Sequence, residues 1–127
     1  MANAAPVKIV VTDENRQAIF LNKRRLDFTG RTMEQELDQG WTVGVHADDR
    51  DECMAKRSAS QEARVKFEIE YRLRRADGQY RSVICRGAPR FESDGRFAGY
   101  VESVADISDL KQAFATQKLG RRDCSRL

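Results

Sequence analysis

The fold of this chain is decided by the stretch Phe67-Glu68-Ile69-Glu70-Tyr71-Arg72-Leu73-Arg74, in which apolar and charged residues alternate without a break. Side chains alternate between the two faces of a strand, so the stretch predicts a β-strand with one apolar and one charged face. Two further strand-like runs follow, Tyr80 to Phe91 and Arg96 to Ile107, and Asp77-Gly78 and Asp94-Gly95 separate the three runs. Asp-Gly pairs favour tight hairpins with primed turns, which need positive φ at both central positions. The sequence therefore predicts a three-stranded antiparallel meander.

Two shorter apolar runs precede the meander. They extend from Val7 to Val11 and from Ala18 to Leu21, and Asp13 to Arg16 between them has the composition of a turn. We interpret them as a hairpin that brings the sheet to five strands. The predicted fold class is α+β, with a five-stranded antiparallel sheet, short helices on one face and a C-terminal connector helix.

The short helices are predicted between the hairpin and the meander. Gly30 can end a helix that begins near Asn22, and Thr32 with Gln35 forms a capping box for a second helix. A longer helix is expected from Asp48 to about Ser60, with acidic residues in its first turn and only a weak apolar stripe. After Ser108 another helical stretch begins, and it is the candidate connector.

Length, composition and charge exclude several classes of protein. A chain of 127 residues with 40% hydrophobic and 34% charged residues fits one globular domain. The net charge of +3 does not predict nucleic-acid binding or membrane contact, and no apolar run is long enough to span a membrane. The three cysteines have no metal-type spacing, which favours reduced thiols and a cytoplasmic location. We expect residues 1–6 to be disordered, 7–107 to form the domain, and 108–127 to form the connector helix and a frayed tail.

The sequence offers no set of catalytic or metal-binding residues. His46 is the only histidine, and paired carboxylates, nucleophile sets and phosphate-binding glycine loops are missing, so we expect no enzymatic activity and no metal site. Cys53 and Cys85 are expected to be small buried side chains rather than reactive thiols. The basic clusters Lys23-Arg24-Arg25 and Arg121-Arg122 are expected to be solvated.

The order of these elements, two strands, short helices and a meander, resembles that of a PAS domain. Trp41-Thr-Val-Gly-Val-His46-Ala-Asp-Asp-Arg50 resembles the Trp…His-Pro-Asp-Asp-Arg entry to the long helix in one large subgroup, which is common in bacterial sensor histidine kinases and diguanylate cyclases. Glu70-Tyr-Arg72 with the following Asp77-Gly78 is similar to its Glu-Tyr-Arg strand and turn, and Asp106-Ile-Ser108 to its closing Asp-Ile-Thr. Ala47 stands in place of the usual proline and Ser82 where the subgroup often has tryptophan.

This resemblance implies a sensory module that binds a small organic ligand or a partner and relays a signal to a separate output domain. That output domain would be of the histidine kinase or diguanylate cyclase type. By this resemblance Asp106, Ile107 and Ser108 would carry the relay. The position of Asp106 near a helix start favours a structural role equally well, in which it pairs with an arginine or caps the final helix. Neither haem nor flavin is expected, because the flavin-type Asn-Cys-Arg-Phe-Leu stretch is missing and His46 lies in a connector.

A ligand cavity would lie between the concave face of the meander and the short helices. The residues predicted to line it are mostly apolar with a few polar groups, as is typical of small-molecule sites: Phe20, Asn22, Phe28, Trp41, Met54, Phe67, Ile69, Tyr71, Val83, Cys85, Val101 and Ser103. The alternative is a pure homodimerisation module that binds no ligand and has a fully packed core. With or without a ligand we expect a homodimer, because alternation places Ile84, Tyr100 and Val104 on the convex face of the sheet, where a second copy would bind.

Overall fold

The computed structural model describes residues 7–115, so the expectations for residues 1–6 and 116–127 lie outside the described part of the chain. Five strands form one antiparallel sheet in the order β2-β1-β5-β4-β3. In chain order the elements are β1 (Lys8–Thr12), β2 (Ala18–Leu21), α1 (Lys23–Thr29), α2 (Met33–Glu36), a 3₁₀ helix (Gly40–Gly44), α3 (Ala47–Ala63), β3 (Phe67–Arg74), β4 (Tyr80–Phe91) and β5 (Phe97–Asp106). Residues 108–115 are helical. The predicted fold class is confirmed.

Both Asp-Gly hairpins of the meander form, but with a different turn from the one predicted. At the first, Gly78 N donates to Arg75 O (2.9 Å) and Arg75 N donates to Gln79 O (2.8 Å), and the second hairpin repeats this arrangement. Only the glycine of each pair has positive φ, 88° in both Gly78 and Gly95. Each loop is therefore three residues long, a turn followed by a left-handed glycine, rather than a two-residue primed turn.

The inner face of the sheet, against which the helices pack, follows the predicted alternation in β3 and β4. In β3, Phe67, Ile69, Tyr71 and Leu73 are buried. In β4, Val83 and Cys85 are completely buried.

In β5 the predicted faces are wrong. Arg90 pairs with Gly99 and Phe91 pairs with Phe97, so Ala98 is an extra residue in β5 and forms a β-bulge. Beyond the bulge the alternation is reversed. Tyr100, Glu102 and Val104 point to the inner face and are at most 2% exposed, whereas Val101 and Ser103 lie on the outer face. Tyr100 and Val104 therefore belong to the core rather than to a convex surface.

The outer face carries an apolar row that crosses three neighbouring strand pairs. Val11 of β1 pairs with Phe20 of β2 and with Val101 of β5, and Val101 pairs with Ala88 of β4. Phe20 is 46% exposed and Val101 is 40% exposed. We call these four residues the outer row. Ile84, predicted to lie on this side, is half-buried there.

Side chains cap the helices at the boundaries predicted for α1 and α2, whereas the sequence does not predict the cap of α3, His46. Asn22 Oδ1 accepts from Arg25 N and caps α1, and Gly30 ends that helix in the left-handed conformation. The capping box of Thr32 and Gln35 is present at α2. At α3, His46 Nδ1 accepts from Asp48 N. None of the helices within residues 7–115 has the length and apolarity needed to cross a membrane.

Replacing Gly99 by alanine tests the role of the bulge. Gly99 has φ of 126°, and a Cβ at this position would collide with the carbonyl oxygen of Thr12 in β1. We expect Gly99→Ala to lower the free energy of unfolding by roughly 3 kcal/mol, through backbone strain and the collision together. Gly95→Ala is the matched control, because Gly95 also has positive φ but nothing lies within 4 Å of its added Cβ. Urea denaturation should show a loss of about 1 kcal/mol for the control. Equal losses in the two variants would contradict the steric role of Gly99.

Candidate functional site

A buried ion pair occupies the interior between α3 and the sheet. Arg57 of α3 donates from Nη1 to Glu102 Oε2 (2.9 Å) and from Nη2 to Glu102 Oε1 (2.7 Å). The two side chains are 3% and 2% exposed. Two parallel hydrogen bonds between guanidinium and carboxylate are the geometry that best compensates two buried charges. This pair, rather than an apolar wall, lies at the centre of the predicted ligand cavity.

Aromatic rings and a thiol surround the guanidinium. The Arg57 Cζ atom lies 4.3 Å from the centre of the Trp41 ring and 5.3 Å from that of Phe67. Arg57 Nη2 also approaches Cys85 Sγ at 3.4 Å. Desolvation by burial opposes the charge on Arg57, but the attraction of Glu102 outweighs it and holds the pKa of Arg57 above its ordinary value. The arginine is therefore fixed in its charged form.

The two described cysteines are poor candidates for redox or nucleophilic chemistry. Burial raises the pKa of Cys85 to about 12, and the charge of Glu102 adds to the effect. Burial also raises the pKa of Cys53. Since the thiolate is the reactive form, both side chains are protonated near neutral pH.

A second buried charge cluster lies between α1 and α2. Glu36 accepts from Arg25 Nε at 3.2 Å and from Arg31 Nε at 2.7 Å, and Arg25 and Glu36 are each 1% exposed. The expectation that the whole cluster Lys23-Arg24-Arg25 is solvated is therefore wrong for Arg25. The helix turns this one arginine inward, where Glu36 compensates its charge.

The predicted cavity residues divide into three groups. Six are buried on the inner face or under it: Trp41, Phe67, Ile69, Tyr71, Val83 and Cys85. Phe28 and Met54 are partly buried against the core, and Asn22 is used as a cap, where its Nδ2 also donates to Val7 O (2.9 Å). Phe20, Val101 and Ser103 are on or toward the outer face and cannot line an inner cavity.

Sequence reasoning missed the buried charges Arg57, Glu102, Arg25 and Glu36. A signal for Arg57 was present, because Cys53, Arg57 and Gln61 recur every four residues and form the buried stripe of α3. The stripe looked weak only because two of its three members are polar. No comparable signal in the sequence indicated Glu102, because Glu102 points to the inner face of the sheet only as a result of the bulge at Ala98.

A polar joint connects the end of the sheet to the C-terminal helical residues 108–115. Arg81 Nε donates to Asp106 Oδ2 (2.8 Å) and Arg81 Nη2 to Asp109 Oδ1 (3.3 Å). Asp106 Oδ1 accepts from Ser108 N (2.9 Å), so Asp106 pairs with an arginine and also caps the helix. Burial opposes ionisation of Asp106, but the hydrogen bond from Arg81 holds its pKa below the ordinary value. We call Arg81, Asp106, Ser108 and Asp109 the joint.

Hydrogen bonds between Asp49 and Arg72, which we call the clamp, fix the start of α3 to β3. Asp49 Oδ2 accepts from both Arg72 N and Arg72 Nε at 2.9 Å, and Asp49 Oδ1 accepts from Arg72 Nη2 at 2.8 Å. His46 N donates to Arg72 O, and the His46 ring packs edge-on against Tyr80 with 4.6 Å between ring centres. The position of His46 at a helix cap is that of a structural residue.

A shallow groove of about 530 Å³ lies on the outer face of the sheet. Ile9, Ala88 and Val101 form its apolar floor, and Lys66 and Arg86 are at its side. Among residues 7–115 no group of three or more histidine, cysteine or acidic side chains could hold a metal ion.

Comparison with known proteins identifies the family to which this fold belongs. The family model described as the PAS fold matches residues 18–104. The chain belongs to the PAS family. The uncharacterized protein y4lL of Sinorhizobium fredii is 38% identical over 122 residues, which are 96% of this chain and 15% of that protein. This PAS chain therefore spans only a small part of that curated relative.

Solved PAS structures agree with this assignment. A sensory box histidine kinase/response regulator from Burkholderia thailandensis aligns over 99% of this chain and 95% of that chain, with a TM-score of 0.70 and 25% identity. The N-terminal domain of a diguanylate cyclase with a PAS/PAC sensor from Marinobacter aquaeolei aligns over 80% and 95%, with a TM-score of 0.71 and 15% identity. PAS sensory domains are thus found in histidine kinases and diguanylate cyclases, and the PAS fold is a sensory fold that is generally non-catalytic.

The clamp between Asp49 and Arg72 predicts a pH dependence. Hydrogen bonds from Arg72 lower the pKa of Asp49 from 3.8 to about 2. A carboxylate with a lowered pKa in the folded state adds stability above its ordinary pKa, and that stability is lost as the pH falls through the folded value. We expect the free energy of unfolding of wild type to fall between about pH 4 and pH 2, and to fall less in Asp49→Asn.

The exposed Asp51 in the same helix supplies the control for this measurement. Urea denaturation of wild type, Asp49→Asn and Asp51→Asn at several pH values compares the three curves. If Asp49→Asn and wild type lose stability in parallel, Asp49 does not make the predicted contribution.

Proposed function

We propose that this PAS domain is a sensory module that relays a signal through the joint to a separate output domain of the histidine kinase or diguanylate cyclase type. The observation that carries the proposal is the direct attachment of the helical residues 108–115 to the ends of β4 and β5. Sensory domains of this family occur in both kinds of enzyme. We further propose that the module acts in the cytoplasm and performs no catalysis of its own.

The joint holds the helix by backbone as well as by charge. Ile107 N donates to Ser82 O (2.8 Å), and Ser82 N donates to Ser108 Oγ (2.7 Å). Lys111 Nζ forms an ion pair with Glu70 Oε2 of β3 at 2.7 Å. Strands β3, β4 and β5 therefore all contact the first turns of the helix. A displacement of these strands, caused by a ligand or a partner, changes the position of the helix that leads out of the domain.

The joint can be tested by fusing residues 1–127 in register to the catalytic domain of a diguanylate cyclase. Arg81→Gln and Asp106→Asn each remove one charge from the joint. We expect either variant to change basal cyclase activity by about 5-fold or more, which is the lower range of coupling between linked sites. Lys23→Gln is the control, because Lys23 forms an exposed pair with Asp27 on α1. Folded variants of the joint with the same activity as the control would contradict the relay.

A second candidate function is homodimerisation through the outer face, and the outer row favours it. Phe20 and Val101 form an exposed apolar surface together with Val11 and Ala88, and such surfaces are commonly covered by a partner. Tyr100 and Val104 are buried in the core and cannot form this contact. The proposed contact residues are therefore Ile84 and the four residues of the outer row. A second copy presenting the same row gives a twofold contact.

Substituting Val101 by glutamate tests this contact without disturbing the core. We expect sedimentation of wild type to show a dimer at micromolar concentrations, and Val101→Glu to shift it to monomer because a charge cannot be buried unpaired in an apolar contact. Val43→Glu is the matched control, since Val43 is 58% exposed in the 3₁₀ helix, away from the sheet. A dimer that persists in Val101→Glu, or a wild type that stays monomeric, would contradict the proposal.

A further inference from the structure

The part of the core that the structure describes contains buried hydrogen-bond donors that no acceptor satisfies. Within residues 7–115 three buried side-chain nitrogens have no hydrogen-bond partner: Arg25 Nη2, Trp41 Nε1 and Arg57 Nε. All three are N–H donors. A buried donor without a partner is costly, and buried polar groups in native structures are nearly always satisfied by protein, water or ligand. The missing partner must therefore supply acceptors.

Two of these donors belong to one local cluster. The Arg57 guanidinium stacks on the Trp41 ring with 4.3 Å between Cζ and the ring centre. Glu102 and Cys85 engage Nη1 and Nη2 of Arg57, which leaves only the Nε edge without a partner. Both unpartnered nitrogens, Arg57 Nε and Trp41 Nε1, therefore belong to one stacked pair of side chains. Arg25 Nη2 belongs to the separate Glu36 cluster.

A pocket of about 210 Å³ lies against this stack, between the turn that joins β1 and β2, the 3₁₀ helix and α3. Arg16 of the turn has φ of 67°, and its Nη1 donates to Ser58 Oγ of α3 (3.2 Å). Gln39 Nε2 donates to Arg16 O (3.0 Å). These contacts hold the guanidinium of Arg16 at the pocket.

The charge of the lining selects the kind of ligand. The lining includes Arg16 and Arg57 but no lysine, aspartate or glutamate. Glu102 already neutralises Arg57, so Arg16 supplies the one cation of the lining that the buried pair does not use. Trp41 and Met54 add apolar surface. The volume corresponds to roughly seven water molecules at about 30 Å³ each, which is smaller than a drug-sized site.

We propose that this pocket binds a small monocarboxylate, whose oxygens accept from Trp41 Nε1 and Arg57 Nε and face Arg16, and whose short apolar part contacts Met54. Carboxylates are the acceptors that guanidinium groups bind most strongly. The two nitrogens are closed to solvent in the structure, so binding requires a side chain of the lining to move. Met54 can do so at low cost, because its side chain is unbranched and flexible.

This inference rests on the proposed sensory function and names the ligand class for it, but its test does not depend on the relay. Trp41 is the only tryptophan, so the protein gives a single indole N–H signal in a ¹⁵N correlation spectrum. Sodium acetate, propionate and pyruvate are titrated in turn, with ionic strength held constant by sodium chloride. We expect a saturable shift of the indole signal with at least one carboxylate, and no shift with the neutral isostere propionamide.

Variants locate the site and separate it from general charge effects. Arg16 is exposed, so Arg16→Gln should fold normally, and we expect it to weaken binding by about tenfold or more. Arg86→Gln removes the same charge from the outer face and should leave the affinity unchanged. Trp41→Phe removes the N–H and keeps an aromatic ring, and calorimetry should show weaker binding in this variant as well.

The outcomes either support or overturn the site. Three results would mean that the pocket holds only water. The indole shift could rise linearly with carboxylate concentration without saturating, propionamide could cause an equal shift, or the affinity could be unchanged in Arg16→Gln. If binding is confirmed but the fused cyclase does not respond to mutations of the joint, the ligand site stands and the relay fails.

Discussion

The ion pair between Arg57 and Glu102 is the interaction on which the arrangement of this domain depends. A helix and a sheet usually pack against each other through apolar side chains. Here two charged side chains, each at most 3% exposed, lie between α3 and the sheet. Such a pair is stable only while both partners keep their geometry, because a single buried charge without compensation costs several kcal/mol. The pair holds the guanidinium where Trp41 and Phe67 stack on it, and the charge of Glu102 adds to the effect of burial on the pKa of Cys85.

The backbone of β5 makes the pair possible. The bulge at Ala98 turns Glu102 inward, and Gly99, with its positive φ, allows β5 to approach the Thr12 carbonyl closely. The same change of face turns Val101 and Ser103 outward and so creates the outer row. One local irregularity therefore places the buried charge on one side of the sheet and the apolar surface on the other. Farther along β5, Asp106 ends the strand in the joint, so the three features lie on one continuous element.

Much of the fold could be predicted from the sequence because it is encoded by local patterns. The alternation from Phe67 to Arg74, the two Asp-Gly pairs and the capping box at Thr32 each depend on residues that are near one another in the chain. The features that could not be predicted depend on distant contacts. The bulge reverses the faces of β5 through one extra residue, and the partners Arg57 and Glu102 are separated by 45 positions. Of the candidate functional residues, Asp106 is predicted to pair with an arginine or to cap the final helix, and it makes both contacts. The roles of the joint, the outer row and the predicted ligand-lining residues stay predictions.

A double-mutant cycle on Arg57 and Glu102 tests most directly whether the buried pair holds this interior together. Arg57→Met and Glu102→Leu, alone and combined, are compared with wild type by urea denaturation. Each single variant leaves one buried charge uncompensated and should lose about 3–5 kcal/mol of unfolding free energy. The double variant should lose much less than the sum of the two, because no unpaired charge remains. Additive losses, or single losses below about 1 kcal/mol, would show that the pair does not organise the core.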